Sequence, residues 1–380
     1  MTFAAWDHVQ KKTVGSVLAM TSGRRHVRCG IWIAAGLALT GCERTATPEP
    51  ISSTLDFALP EPISNNAVAV ADGPDGPTLY SFNGLKSGKT WQDSSNAAYA
   101  CVIATEICQT IASVPVPDGR LASVAVTVAG KIYIFGGYTV AENGDELSTP
   151  EVFAFDPSTG TYAQQADMPT PVDDTLAVPY QDRFIYLISG WHDEANVSTV
   201  QMFDVQTGAW TEATPYPGTA VFGHAGGISG DNIIVTDGVA SIFADGRRKF
   251  VAAELTWRGD IDPENPTQIS WRGVDAHPGL ARYRMAAIGD EAGQRIIFAG
   301  GADNPYNYDG IGYDGEPANP SDSFFAYDLK SDRWVELGRL AVPSMDHRSL
   351  AKVGEDYYIL GGMDAAQQVT SRIVKFRIDE

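Results

Sequence analysis

Apolar residues recur along most of this chain in short alternating runs, not at helical spacing. Ala122-Ser-Val-Ala-Val-Thr-Val128 and Ser349-Leu-Ala-Lys-Val353 alternate with a period of two, as half-buried strands do. A second kind of run is more continuous and ends in glycine: Ile132–Gly137, Ile185–Gly190, Ile233–Gly238, Ile296–Gly301 and Tyr357–Gly362, with Leu79–Gly84 as a weaker sixth. A third element follows at a longer interval. Phe155-Asp-Pro-Ser-Thr-Gly-Thr-Tyr162, Phe203-Asp-Val-Gln-Thr-Gly-Ala-Trp210 and Tyr327-Asp-Leu-Lys-Ser-Asp-Arg-Trp334 match position by position. Each predicts a strand with an aromatic near its end, a tight turn after Asp, and a strand opening near a second aromatic.

The order of these elements repeats about once per blade length of a propeller. One four-stranded unit cannot bury both of its faces, whereas a ring of units buries each against its neighbours. The expectation is an all-β, six-bladed β-propeller over residues 54–380. The last repeat stops at Ile373-Val-Lys-Phe-Arg-Ile378 and lacks an outer strand. Thr54-Leu-Asp-Phe57-Ala-Leu-Pro60-Glu-Pro62 is read as that strand, closing the ring, with Phe57 in the place held by Trp210 and Trp334. The whole pattern resembles the kelch motif, in which a strand ending in Gly-Gly precedes a strand with an aromatic and an outer strand opening near Trp.

Composition agrees: 38 Gly and 22 Pro in 380 residues suit many strands joined by many turns. The net charge of −20 repels phosphate backbones and excludes nucleic acid as a partner.

The N-terminus carries a different pattern. Arg24, Arg25 and Arg28 precede the apolar run Ile31–Leu39, which is too short to span a bilayer. This order reads as an export signal over 1–41, with Met20 as its start. Leu39-Thr-Gly-Cys42 resembles the bacterial lipobox, which implies acylation at Cys42, a tether over 42–53 and membrane attachment through lipid alone. Glu43 stands where the inner-membrane retention signal of bacterial lipoproteins has Asp, so the resemblance implies an outer-membrane lipoprotein facing the periplasm. Cys101 and Cys108, in an oxidising compartment, are expected to form a disulfide across a hairpin rather than remain buried thiols.

In such a propeller, loops that lead into each inner strand share one face with loops that follow each Gly-Gly. The first set offers Arg120, Asp173, Asp174, His224, Arg284, Asp346, His347 and Arg348; the second offers Tyr138, Trp191, His192 and Asp193. Convergent charged and aromatic side chains at a channel mouth suit a polar ligand such as a sugar or carboxylate. Arg120, Trp191, His224, Arg284, Arg348 and Tyr306 are the expected ligand-binding residues. The three arginines are expected to form one positive mouth. Asp303–Asp322 is long, acidic and rich in Tyr; its carboxylates offer oxygen ligands for Ca²⁺, though not at EF-hand spacing. No other cofactor or metal is expected.

Two kelch enzymes are similar in part. Galactose oxidase needs copper held by Tyr and His with a Cys-linked Tyr, and the cysteines here are placed wrongly for it. The bacterial N-acetylneuraminate epimerase (sialic acid mutarotase) group is nearer, through Ile296–Ala302 and the Asn- and Tyr-rich loop after it. That resemblance implies a mutarotase that interconverts sugar anomers. It places Arg247 or Arg248 in the site and acid–base chemistry near Asp237, although Val239 stands where the group has Glu. Asp346 with His347 is a second candidate acid–base pair. The expected catalytic residues are therefore Asp237, Arg247, Asp346 and His347. The alternative is a non-catalytic propeller that binds a glycan or protein at the cell surface.

Overall fold

The computed structural model describes residues 51–378. The expected export signal over 1–41, the expected acylation site Cys42 and most of the expected tether lie outside the described residues. Six four-stranded antiparallel sheets follow one another around a ring. Their innermost strands are Ala67–Gly73, Val124–Val128, Leu176–Tyr180, Ala225–Ser229, Ala286–Asp290 and Ala351–Val353. In every blade but the sixth, the chain runs from the innermost strand outward. All six innermost strands line a central channel of about 330 Å³. The expected six-bladed propeller is the fold.

The aromatic hairpins explain how blades are joined. Phe155 pairs with Tyr162, Phe203 with Trp210 and Tyr327 with Trp334, directly across the two outer strands. Ring centroids in these pairs lie 4.9, 4.8 and 5.1 Å apart. Each outer ring also donates a hydrogen bond to a main-chain carbonyl of the preceding blade or its exit loop. Tyr162 reaches Ala112 O at 2.7 Å, Trp210 reaches Ala166 O at 3.0 Å and Trp334 reaches Asp275 O at 2.7 Å. Amphipathic rings with one polar tip suit this position, because the ring fills the inter-blade core while the tip finds an acceptor. The turn between them needs a left-handed residue. Gly160 takes φ 68° there, and Asp156 holds the turn by accepting from Ser158 N at 3.0 Å.

In the first blade the same two positions hold Cys101 and Cys108, which are cross-strand partners joined by a disulfide. A covalent bond stands there in place of an aromatic pair.

The ring closes on itself through Ser52–Thr54, which pairs with Phe376, Lys375 and Val374 as the fourth strand of the last blade. Closure by an N-terminal strand was expected, but the strand lies further toward the N-terminus than Thr54–Pro62. Ser52, not Phe57, faces Phe376, and its Oγ accepts from Ala341 N of the fifth blade at 2.9 Å. Pro60 and Pro62 have no N–H for a ladder. The chain instead turns inward after Thr54, and Leu55, Phe57 and Leu59 pack with Tyr99, Tyr358 and Ile373 between the last blade and the first.

Candidate functional site

At one end of the channel each blade contributes an equivalent residue with a left-handed backbone. Asn65, Ala122, Asp174, Gly223, Arg284 and Asp346 have φ between 47° and 71°. Main-chain hydrogen bonds join these residues from blade to blade: Ala122 N to Asn65 O, Asp174 N to Ala122 O, Gly223 N to Asp174 O and Arg284 N to Gly223 O. The circle closes through His347 N to Arg284 O and Asn65 N to Asp346 O, so the sixth blade is offset by one residue. The preceding residue of each blade makes a single antiparallel bridge to the residue after the glycine-ended strand, as Leu121 does with Tyr138 and Asp173 with Trp191. A Cβ at Gly137 would lie 2.5 Å from Leu121 O, so only glycine allows this approach. The two loop sets are thus tied together on one face.

Side chains of the ring meet on the axis. Arg284 is bidentate to Asp174, with Nε to Oδ1 at 3.1 Å and Nη2 to Oδ2 at 2.6 Å, and its Nη1 donates to Asp346 Oδ1 at 3.1 Å. Arg348 Nη2 sits 2.7 Å from Asp174 Oδ1 and 2.5 Å from Asn65 Oδ1. All four charged side chains are buried. Burial alone would raise the Asp174 pKa, but the two guanidiniums bring it below the ordinary carboxylate value. The cluster has two positive and two negative groups. It lies where the mouth meets the channel, since Asp174 and Arg284 line the mouth and Arg348 lines the channel.

Outside this plug lies a second cavity of about 330 Å³. Its floor carries Asp173, Asp174 and Arg284. Its walls come from three two-stranded ribbons that follow the glycine-ended strands of the second, third and fourth blades. Tyr138 and Glu146 come from the ribbon Tyr138–Val140 with Glu146–Ser148. Trp191 comes from Trp191–His192 with Ala195–Asn196. Arg248 and Phe250 come from Val239–Ala244 with Arg247–Ala252. The Tyr-rich loop covers one side: Tyr313 stacks on Phe250 at 4.2 Å, and Asn307 Nδ2 donates to Glu146 Oε1 at 2.6 Å. The Arg248 guanidinium lies 5.6 Å from the Trp191 ring.

Two carboxyl groups of this cavity hold their protons unusually well. Burial pushes Asp173 well above the carboxylate range, the adjacent Asp174 charge adds to this, and the 2.6 Å bond from Ser148 Oγ opposes it. Burial also raises the half-buried Glu146, against the bond from Asn307. Asp173 and Asp174, consecutive in the chain, are therefore driven in opposite directions.

The structure distributes the expected residues unevenly. Trp191 and Arg284 line the mouth, whereas Tyr306 does not: it is fully buried, packed against Tyr283 and the Arg284 guanidinium. Arg348 belongs to the plug. Asp346 is fully buried there and paired with Arg284, not exposed as an acid or base. His347 is buried behind it, with Nε2 2.9 Å from Ser344 Oγ, and burial lowers its pKa to about 3. His224 points to Ile188 O at 2.9 Å inside the third-to-fourth blade packing, its pKa lowered by burial to about 4. Asp237 is buried, bonded to His277 Nε2 at 2.6 Å and to Arg282 N, and does not line the cavity. Arg247 lies at the ribbon tip on the face away from Arg248 and is exposed. Arg120 is held between the first two blades by Glu151 and does not reach the mouth. The expected positive mouth is thus absent: Asp174 and Asp346 neutralise Arg284 and Arg348, and Arg120 lies elsewhere. Asp303, Asp309 and Asp314 each accept hydrogen bonds within their own loop. Among the described residues no three His, Cys, Asp or Glu side chains gather where a cation could sit. Glu146 carried no signal in the sequence, because its ribbon has no periodic pattern.

With fold and site described, the class is a six-bladed propeller carrying the kelch motif; residues 119–169 match the kelch motif model. Kelch-like protein 15 of Gallus gallus is 26% identical over 110 residues, 29% of this chain and 22% of that protein. Kelch-like protein 36 of Mus musculus is 22% identical over 279 residues, 72% of this chain and 41% of that protein. The matched stretches thus span about a fifth and two fifths of these relatives' length. The solved structure of YjhT has the same fold, with a TM-score of 0.65 at 16% identity, covering 83% of this chain and 95% of that one.

Proposed function

We propose that the mouth cavity binds a carbohydrate and interconverts its anomers. One observation carries this reading: Glu146 and Asp173, both with raised pKa values, open onto one aromatic-walled cavity. In this reading Asp173, raised by burial and by the adjacent Asp174 charge, keeps its proton as the acid, and Glu146 is the base. The base takes the proton of the anomeric hydroxyl. The bond between the anomeric carbon and the ring oxygen breaks, and the ring oxygen receives the proton of the acid. The open carbonyl form turns about its terminal bond and closes on the opposite face by the reverse transfers. Trp191 and Tyr313 offer faces for the C–H side of a sugar ring, and Arg248 offers donors to its hydroxyl or carboxylate oxygens. Export and a lipid anchor at Cys42 belong to the same proposal and would hold the protein at the outer membrane, facing the periplasm.

The test is NMR exchange spectroscopy between α and β anomer signals across a panel of neutral and acidic sugars. At least one sugar should exchange faster with the protein present. Glu146→Gln and Asp173→Asn should each lose on the order of a hundredfold of that acceleration, as expected for removal of one acid–base group. Binding with no acceleration for any sugar would overturn the catalytic reading and leave a glycan-binding propeller.

A further inference from the structure

Beside the mouth cavity, the ribbon Val239–Ala252 borders a second depression. It too has a volume of about 330 Å³, and it lies between the ribbon tip, the Glu194–Asn196 turn and Thr219-Ala220. Arg248 lines both spaces, so the two adjoin across one side chain. The groove is not apolar. Glu194, Thr219 and Ser241 provide a carboxylate and two hydroxyls. Its outer edge is Phe243, which is 79% exposed, more than any other large hydrophobic side chain among the described residues.

A single exposed aromatic ring is ordinary by itself, and it is the alignment of Phe243 with Arg248 along the groove that gives it a role. The two-residue turn at Asp245 and Gly246 has φ of 54° and 75°, which fixes the hairpin geometry. Phe243 is the cross-strand partner of Arg248, so it shares the face that Arg248 presents to the cavity. Trp191, Arg248 and Phe243 thus follow one another from the cavity out into the groove.

We infer that the groove is a second sugar subsite and that the ligand is an oligosaccharide, its terminal residue in the mouth cavity and its next residue over Phe243. This rests on the carbohydrate reading of the cavity and adds the length of the ligand to it. Alternating aromatic faces with hydroxyls and a carboxylate match the two sides of a saccharide, apolar across its C–H faces and polar at its rim. A monosaccharide fills one space and leaves the other empty.

A glycan array of mono- to tetrasaccharides, neutral and acidic, tests the inference on the full chain and its Phe243→Ala variant. The exposed position makes the variant fold as the parent does, which a melting curve verifies. Binding should begin at disaccharides or strengthen from mono- to disaccharide. Phe243→Ala should weaken di- and trisaccharide binding about tenfold while leaving any monosaccharide binding unchanged. Glu146→Gln should weaken every hit. Equal affinity for a monosaccharide and its longer chains, or no effect of Phe243→Ala, overturns the second subsite and leaves the cavity reading intact. An array without any hit overturns the cavity reading, and the subsite with it.

Discussion

Arg284 grips both carboxylate oxygens of Asp174 across 110 residues of sequence, at 3.1 and 2.6 Å. The pair joins the third blade to the fifth, past Gly223 of the fourth. A buried charge stripped of its partner is costly, so each member depends on the other. Arg284→Met and Asp174→Asn should each destabilise the protein by about 3–5 kcal/mol, and the double variant by less than the sum. Urea unfolding of the four proteins measures this coupling. Additive losses would show that the two side chains do not support one another.

Acid should weaken the fold through its two buried neutral histidines. His224 and His347 have folded pKa values of about 4 and about 3, below the ordinary 6.5. Their contribution is complete above pH 6.5 and falls as the unfolded chain takes up protons that the folded chain refuses. Each can remove up to about 1.4 kcal/mol per pH unit below that value. His277 works in the opposite sense: burial lowers its pKa, but the Asp237 carboxylate outweighs this and raises it. Its contribution is present below 6.5 and lost as pH rises through the folded value. Asp204, held to about 2 mainly by Arg183, contributes a loss only below 3.8. Stability of His224→Gln/His347→Gln should therefore fall less steeply than the parent between pH 6.5 and 5. Parallel curves from pH-resolved denaturation would be the contrary result.

Closure by three residues should be worth more than its length. Removing residues through Leu55 takes away Ser52–Thr54 and bares the edge of Ile373–Phe376. An open strand edge invites pairing between molecules. The truncated protein should melt lower and aggregate during light-scattering runs at concentrations where the parent stays monodisperse. Unchanged melting and scattering would show that the ring holds without this strand.

Adjacent arginines on the fourth-blade ribbon should behave differently. Arg248 lies over Trp191 and lines the cavity, while Arg247 points to the other face of the ribbon. Arg248→Ala should weaken sugar binding about tenfold, the value of one charge-assisted contact, and Arg247→Ala should leave it unchanged. Titration calorimetry with the tightest array hit distinguishes them, and equal effects would remove Arg248 from the site.

The same ribbon shows where reading the sequence stops. The Phe-Asp to Gly-aromatic hairpins and glycine-ended strands repeat in identity as well as position, so blade number and strand order were legible. Arg247 and Arg248 differ only in which face they occupy, and that depends on a ribbon register with no repeat to set it. The six left-handed residues share a backbone conformation but have six different surroundings and almost no shared chemistry, so Asn65, Ala122 and Arg284 do not look equivalent in sequence. Asp173 and Asp174 look alike as neighbours. Only their surroundings separate them: two guanidiniums on one, burial and a like charge on the other. Phe57 matched Trp210 in residue type, but two prolines behind it prevented a strand, and Ser52 took the position.

The inter-blade circle at the mouth is made by main-chain groups, and its members range from glycine to arginine without altering it. Amide and carbonyl are common to nearly every residue, so the belt itself asks of each member mainly that it tolerate a left-handed backbone. Ribbon residues that line the mouth, such as Trp191 and Arg248, can therefore change while the frame beneath them persists. A scaffold of this kind separates the evolution of recognition from the inheritance of architecture.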